Sequence, residues 1–198
     1  MSRIEPLEPP YRDEVAALLS GMMPPGVAPI GLFRVFARNM PMATAMGSWG
    51  RYELGRELSL PMREREIVID RTCARCGCEY EWGVHVLFFA ARVGLGEAEL
   101  RSLTHGRPSD PCWTEERERL LIAAVDALHD DADISDRLWS GLASTFTEAQ
   151  LLDLLLLTGW YHAISYVARA GRIANEPGAP TFAAVAAPGD QTVGTAPS

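Results

Sequence analysis

Apolar residues recur every three to four positions along most of the chain, and this period predicts helices. In the segment "PIGLFRVFARNM", which starts at Pro29, one stripe carries Ile30, Phe33, Phe36 and Ala37. No stretch keeps the strict apolar and polar alternation of a half-buried strand for more than a few positions. The sequence therefore predicts an all-α fold with about seven to nine helices.

Helix-breaking and capping residues indicate where several of these helices begin and end. Pro61 suits the start of one helix, and Gly77 offers a break after it. The next helix ends at Gly94, where glycine can adopt the left-handed cap conformation. Thr147 and Gln150 form a capping box in front of the long apolar segment "LLDLLLLTGWYHAISYVARAG".

Composition divides the chain into three parts. Residues 1–28 hold a short amphipathic piece that the breaker "PPG" closes. Residues 29–175 carry the helical pattern and form the predicted domain. Residues 176–198 are rich in Gly, Ala, Pro and Thr without a helical period, so we expect a mobile tail or an arm over a neighbouring subunit.

Two segments of the predicted domain resemble each other. "HVLFFAARVG" at 85–94 and "HAISYVARAG" at 162–171 align without a gap and share His, Ala, Arg and Gly at the same offsets. Each has a tryptophan just upstream, Trp82 and Trp160. This similarity favours an internal pseudo-repeat that arose by duplication.

Charge and composition exclude several classes of function. All 18 basic residues are arginine, so Schiff-base chemistry, pyridoxal phosphate attachment and the phosphate-loop lysine are ruled out for this chain alone. The formal net charge of -8, without a basic run, predicts neither a nucleic acid nor a membrane partner. The N-terminus lacks a secretion signal, and Asp153 interrupts the most apolar stretch, so we expect a cytoplasmic protein.

The segment "RTCARCGCEYEWGVH" at 71–85 concentrates the candidate chemistry. On one helix, Cys78, Glu81 and His85 fall at positions i, i+3 and i+7 and share a face that Trp82 flanks. Glu81 and His85 lie one turn apart, so they can share a proton or form an ordinary surface pair. The apolar residues that follow His85 favour a cavity or an interface over an exposed surface.

The crowded cysteines also suggest a metal site or a redox site. A zinc site built from Cys73, Cys76, Cys78 and His85 has a CxxC start, but its helical surroundings are unlike the tight knuckle of structural zinc sites. We therefore expect no metal ion. Cys78 follows Gly77 at a predicted helix start, which lowers a thiol pKa, whereas two nearby glutamates raise it. The alternative to both is that the cysteines pack as small buried hydrophobes.

Several segments resemble the carboxymuconolactone decarboxylase family, which shares an all-α fold with the alkylhydroperoxidase AhpD. They are "LPMREREIVIDRT", "GCEYEWGVHV", "ARVGLGEAEL", "AVDALHDDADISDRLW" and "QLLDLLLLTGWYHAISYVARAG", within roughly residues 30–172. The resemblance implies a small-molecule substrate, no cofactor, and a homo-oligomer that is a trimer, a hexamer or a dimer.

The AhpD-type motif has a glutamate, a CxxC pair and a histidine four residues after the second cysteine. Placing that histidine on His85 puts the first cysteine on Cys78, the second on Glu81 and the upstream glutamate on Glu66. Glu81 thus replaces the cysteine that the family uses toward peroxide. The form "CEYEWxxH" resembles the decarboxylase-like branch, whose members act through acid/base residues.

We therefore expect a cofactor-independent lyase or isomerase that acts on a small carboxylated lactone or a related acid. His85 serves as the general acid/base, Glu81 orients it, Cys78 shapes the pocket, and Glu66 supports the imidazole or relays protons. The alternatives are a thiol-dependent alkylhydroperoxidase, with peroxiredoxin activity at Cys78 and Cys76 or Cys73, and a noncatalytic oligomeric ligand-binding protein. The expected substrate-binding residues are Tyr80, Trp82, Arg71 and Arg75.

Overall fold

All regular structure in the described residues is helical. The computed structural model describes residues 2–186 and confirms the predicted all-α class. Several of its helices are single turns, which periodicity does not detect, so the number of segments exceeds the prediction. The helices are α1 Asp13–Met22, α2 Gly31–Phe36, α3 Met40–Glu53, α4 Met62–Arg75, α5 Glu79–His85, a π-helical turn Val86–Ala90, α6 Ala91–Val93, α7 Glu97–His105, α8 Glu116–Asp131, α9 Asp136–Thr145, α10 Glu148–Gly171 and α11 Phe182–Val185.

Helix α4 lies at the centre of the molecule and packs against α5, α7, α8 and α10. Its apolar residues Ile67, Val68 and Ile69 are fully buried. Because neighbours surround α4, its charged side chains are buried as well and must find polar partners inside the protein. This central helix therefore sets the position of the internal charges.

Glycine and capping signals place the helix ends as predicted. Gly77 and Gly94 both adopt the left-handed conformation, with φ of 63° and 67°. Gly77 separates α4 from α5, and Gly94 directly follows α6. At the start of α10, Thr147 Oγ1 accepts from the Gln150 backbone N–H at 3.3 Å. The Gln150 side chain in turn accepts from the Thr147 N–H at 3.1 Å, which completes the predicted capping box.

The segment before residue 29 lies against the helical domain. Helix α1 packs on α2 and α3. The Arg3 N–H donates to the Gly171 carbonyl at 2.8 Å, and the Leu7 N–H donates to the Arg34 carbonyl at 3.3 Å. These bonds tie the start of the chain to both α2 and the end of α10.

Residues 176–186 fold back against the helical domain of the same chain and contact α5. Glu176 Oε1 accepts from the Gly31 N–H at 2.5 Å and from the Tyr80 hydroxyl at 2.6 Å. The Phe182 N–H donates to Glu79 Oε2 at 2.8 Å. These bonds hold residues 176–186, a segment with little helical period, against α2 and α5 of the same chain, whereas a mobile tail was expected there; the intersubunit arm stays a prediction. The rest of the predicted tail, 187–198, lies outside the described residues.

Helix α10 is the one segment of residues 2–186 with the length and hydropathy of a membrane span. Half of its most apolar window is buried inside the protein. Asp153 on this helix accepts from the Tyr52 hydroxyl at 2.6 Å and from the Ser59 N–H at 2.7 Å. Helix α10 therefore packs against the core along one side and holds a buried, hydrogen-bonded carboxylate.

Candidate active site

His85 lies at the centre of a buried polar group that three helices build. Its Nδ1 is 2.7 Å from Glu66 Oε2 on α4. On the other side of the ring, Nε2 is 3.0 Å from the Tyr161 hydroxyl on α10 and 3.6 Å from Glu81 Oε1, one turn earlier on α5. All four residues are buried, and His85 is only 3% exposed. The predicted Glu66, Glu81 and His85 thus meet in one place.

Glu66 bridges His85 to a buried arginine. One oxygen faces the imidazole, and the other accepts from Arg65 Nε at 2.8 Å. Arg65 also donates to the Leu54 carbonyl at 3.0 Å, which anchors the guanidinium. Because both its oxygens are bonded, Glu66 is held in one orientation, and it holds the imidazole ring in turn.

The two carboxylates determine the charge of His85. Burial alone lowers the pKa of the imidazole, but the Glu66 and Glu81 carboxylates more than offset this and raise that pKa to about 10. At neutral pH His85 is therefore an imidazolium that donates from Nδ1 to Glu66. Its Nε2–H is directed toward the Tyr161 oxygen and Glu81.

Burial favours the neutral form of two other acidic groups nearby, Asp70 and Tyr161. Burial and the Glu66 carboxylate raise the pKa of Asp70 well above its usual value. Burial also raises the pKa of the Tyr161 phenol. Two buried ion pairs, Arg65 with Glu66 and His85 with Glu81, balance each other's charges, which lowers the cost of burying them.

Phe89 connects the imidazole to the protein surface. Its half-buried ring stacks on His85 with 5.4 Å between ring centroids. The guanidinium groups of Arg65 and Arg92 lie 5.3 Å and 5.7 Å from the Phe89 centroid. Arg92 is exposed, so a cationic side chain stands at the outer end of this contact.

All four cysteines are free thiols, and Cys73 and Cys78 lie beside this group. Cys78 is fully buried at the residue before α5, and its N–H donates to the Cys73 carbonyl at 2.8 Å. Burial raises the pKa of both thiols. Cys76 belongs instead to a different cluster, beside a cavity. Cys112, the fourth free cysteine, is partly exposed.

Arg71 and Arg75 do not reach His85, which corrects the expectation that one of them holds a substrate carboxylate. Arg71 is buried and forms a bidentate pair with Asp126, at 2.7 Å and 2.8 Å. Its remaining donors bind backbone carbonyls around the end of α7. Arg75 pairs with Asp130 and lines the cavity beside Cys76. Both point to α8, because they sit on the face of α4 that packs there.

Tyr80 and Trp82 face the segment 176–186 and not His85. The Tyr80 hydroxyl accepts from the Leu32 N–H at 2.9 Å and donates to Glu176 at 2.6 Å. The Trp82 ring lies 5.1 Å from the Phe182 ring, centroid to centroid. Residues of the same chain engage both side chains, and the structure does not bring them together with His85.

Three residues around His85 were not predicted from the sequence: Tyr161, Arg65 and Phe89. The one available signal for Tyr161 was its place directly before the histidine of the second repeat. Arg65 neighbours Glu66, yet nothing in the spacing shows that it faces inward. Such contacts between distant helices depend on packing and leave no local pattern.

A cavity of about 580 Å³ lies away from His85, along α4, α8 and α10. Among its walls are three side chains that can ligate a metal ion, Cys76, His129 and His162. This cavity is separate from the residues that the sequence selects as catalytic.

Comparison with known proteins yields structural relatives but no sequence relatives. No family model matches the sequence, and no curated protein matches it significantly. A peroxidase-related protein from Silicibacter sp., itself uncharacterized, has a TM-score of 0.73 at 18% identity over 88% of this chain and 91% of that one. The apo debrominase Bmp8 also has a TM-score of 0.73, at 15% identity over 88% and 92% of the two chains.

A third solved structure is a protein of unknown function from Agrobacterium tumefaciens with a suggested identity as the antioxidant defence protein AhpD. It has a TM-score of 0.63 at 22% identity and covers 71% of this chain and 95% of its own. At these identities the likeness concerns the fold. The chain has the AhpD-like fold that its motifs suggest.

Proposed function

Since the chain has the AhpD-like fold, we propose that it is a cofactor-independent acid/base enzyme of the decarboxylase-like type. Its substrate is a small carboxylated lactone or a related acid. His85 is the proton donor. Glu66 and Glu81 keep it charged and oriented, and Cys78 and Tyr161 complete its surroundings.

The observation that supports this proposal best is the buried, doubly bonded imidazole. With Nδ1 on Glu66 at 2.7 Å, the ring cannot turn freely, and its proton at Nε2 has a fixed direction. The carboxylates keep this proton in place at neutral pH, because they raise the pKa of His85 to about 10. A positioned imidazolium is suited to protonate carbon and unsuited to act first as a base.

The proposed reaction balances without any cofactor. The bond between the substrate carbon and its carboxylate breaks, CO₂ leaves, and the electron pair remains on that carbon. The Nε2 proton of His85 moves to the carbon, and the imidazole then regains a proton from water. An isomerisation would use the same donor, with the proton returning from another carbon of the substrate.

The substrate would approach His85 past Phe89. His85 is 3% exposed, so the half-buried Phe89 ring that stacks on it must turn aside. Arg92, exposed beside that ring, replaces Arg71 and Arg75 as the candidate to hold a substrate carboxylate. Displacing Phe89 would place an apolar ring against the substrate and keep bulk water out.

The Glu66→Gln variant tests whether the carboxylate keeps His85 charged. Glutamine removes the negative charge that raises the pKa of His85, while burial continues to lower it. We expect the pKa of His85, followed by NMR of the imidazole, to be about 10 in the wild-type chain and clearly lower in the variant. At high pH, kcat/KM should fall as His85 loses its proton. In the variant this fall should occur at a lower pH, shifted by the same amount as the pKa of His85.

The matched control is Glu64→Gln, on the same helix. Glu64 pairs with Arg117 at 2.7 Å and does not contact His85, so both the pKa and the pH profile should stay unchanged. Equal pKa values of His85 in the wild type and in Glu66→Gln would contradict the proposed role of Glu66.

The second candidate function is thiol-dependent hydroperoxide reduction. It is favoured by the peroxidase-related and AhpD descriptions of two structural neighbours and by the proximity of Cys73 to Cys78. Two observations oppose it. Both thiols are fully buried, and Glu81 stands where the AhpD motif has its peroxide-reactive cysteine.

We expect the native chain not to consume a hydroperoxide at Cys73 or Cys78, because peroxide cannot reach fully buried thiols. The measurement is mass spectrometry of peptides after treatment with an alkyl hydroperoxide, with peroxide loss recorded in parallel. The partly exposed Cys112 serves as the internal reference for accessible thiol. A Cys73–Cys78 disulfide formed at the rate of peroxide loss would establish the peroxidase instead.

We propose further that the chain is a cytoplasmic homo-oligomer. Leu152, Leu156 and Tyr166, all on α10, are 60%, 50% and 67% exposed. Large apolar side chains on one helix are typical of a subunit interface. In the noncatalytic alternative, the same surface would be the main function of the chain, and the His85 group would serve only to stabilise the fold.

A further inference from the structure

Three side chains from distant parts of the sequence meet at the wall of the 580 Å³ cavity. Cys76 follows the end of α4, His129 lies in the last turn of α8, and His162 lies in the middle of α10. His129 Nδ1 is 3.0 Å from His162 Nε2, and Cys76 Sγ is 4.0 Å from His129 Nδ1. All three ligand atoms lie within 4.8 Å of one another.

The orientation of His162 is fixed by its other nitrogen. His162 Nδ1 is 2.9 Å from the Thr158 carbonyl, which can only accept a hydrogen bond, so Nδ1 carries a proton. In the neutral ring Nε2 then presents its lone pair to His129 Nδ1. Two ring nitrogens thus point at one position, and they share a single proton there. Metal-binding histidines are commonly oriented by such a backbone carbonyl.

We propose that Cys76 Sγ, His129 Nδ1 and His162 Nε2 bind one Zn²⁺-like transition metal ion whose fourth position opens into the cavity. In a tetrahedral zinc site with usual bond lengths, two nitrogens lie about 3.3 Å apart and a nitrogen and a sulfur about 3.6 Å apart. The observed separations are 3.0 Å and 4.0 Å, and Cys76 Sγ lies within 4.8 Å of His162 Nε2, so side-chain adjustments of about 1 Å reach these values.

The donor set indicates the class of metal. A thiolate and two imidazoles suit zinc, cobalt or copper, whereas magnesium and calcium prefer oxygen ligands. Three protein ligands and an open position are the arrangement of a catalytic zinc ion, since structural sites use four protein ligands. The ligand types between Cys73 and His85 do not have the spacing of a usual zinc site, and positions 76, 129 and 162 form no local motif, so the sequence predicts no metal ion here.

The charges around the group favour a small anion in the open position. Arg75 is already paired with Asp130. Arg169 donates to the Cys76 carbonyl at 2.6 Å and lines the cavity, and no carboxylate pairs with it among residues 2–186. Binding of the metal converts the Cys76 thiol to a thiolate and releases one proton. The ion and Arg169 together then leave positive charge at the cavity wall, which hydroxide or a carboxylate would balance.

The test is metal binding by the untagged full chain, first stripped with a chelator. Zn²⁺ is titrated by calorimetry and Co²⁺ by absorption spectroscopy. We expect one ion per chain, a thiolate-to-cobalt charge-transfer band, and d–d bands as intense as those of four-coordinate cobalt. Cys76→Ser and His129→Gln should each weaken metal binding at least tenfold. In the cobalt spectrum, Cys76→Ser should also remove the thiolate band, and His129→Gln should remove the four-coordinate d–d bands.

The controls replace the same residue types outside the cluster. Cys112→Ser and His105→Gln should bind both metals as the wild type does. Circular dichroism checks that each variant is folded. His129 is half-buried, so His129→Gln tests the site even if the change at the buried Cys76 prevents folding.

Two outcomes would overturn the site. One is a wild-type chain that binds no more Zn²⁺ than its Cys76→Ser and His129→Gln variants, and the other is a cobalt complex without thiolate absorption. The open position has its own test, since added acetate or azide should change the cobalt spectrum. An unchanged spectrum would show that the fourth position is closed. None of these readouts requires the proposed activity at His85.

Discussion

The His85→Gln variant will lose nearly all turnover, with kcat falling by about 10²–10⁴-fold, the usual contribution of a positioned acid/base group. Glutamine has a similar size and can still hydrogen-bond to Glu66, but it has no proton to transfer to carbon. The measurement is CO₂ release from a carboxylated lactone that the wild-type chain decarboxylates. Because the loss is in the chemical step, KM should change little.

The matched control for this variant is His105→Gln. His105 lies at the end of α7, is exposed to solvent, and has its Nε2 3.2 Å from the Phe182 carbonyl, so it does not belong to the buried group around His85. Its replacement should leave kcat unchanged. Wild-type turnover in a folded His85→Gln chain would contradict the role of His85 and leave the proposed reaction without its proton donor.

The Arg71→Met variant will be destabilised by about 3 kcal/mol, as expected when one partner of a buried ion pair is removed. The change leaves Asp126 without its bidentate partner and strands the carbonyls of Ser102, Leu103 and Gly106, which Arg71 binds at 3.3 Å, 2.9 Å and 3.1 Å. Methionine keeps most of the side-chain volume, so the loss reports the polar contacts. Urea unfolding measures it as a lower midpoint at an unchanged slope.

Arg75→Met is the control, one helical turn later on α4. Its partner Asp130 has a side chain that is 55% exposed, so solvent screens that pair. The second contact of Arg75, 3.6 Å to Asp126, is longer than the bidentate bonds by which Arg71 still holds Asp126, so the loss of Arg75 should cost about 0–1 kcal/mol. Equal destabilisation by the two changes would show that Arg71 is not a structural anchor. Decarboxylation that fails in Arg71→Met at full stability would restore Arg71 as a substrate-binding residue.

The helical class and the turn at Gly77 could be predicted because both depend on local patterns. Apolar residues repeat with the helical period, and the left-handed conformation at Gly77 favours glycine. Glu81 and His85 were identified as a pair for the same reason, since one helical turn separates them whatever surrounds the helix. The link from Glu66 to His85 required more, namely the resemblance to a motif.

The errors have a common physical cause. Arg71 and Arg75 were assigned to the substrate from charge, yet charge does not tell which helix an arginine faces, and both face α8. The segment after residue 176 was expected to be mobile from its composition. Hydrogen bonds from Glu176 and Phe182 to α5 nevertheless hold it in place. Such bonds depend on the position of α5 in the folded protein.

By itself the sequence determined an all-α chain, its main helix boundaries, and a helix that presents Cys78, Glu81 and His85. Only the tertiary structure decided that Tyr161 reaches the same imidazole and that Cys76, His129 and His162 converge elsewhere. Helical periodicity fixes which residues share a face of one helix. It does not fix which faces of different helices meet, because that depends on how the whole core packs.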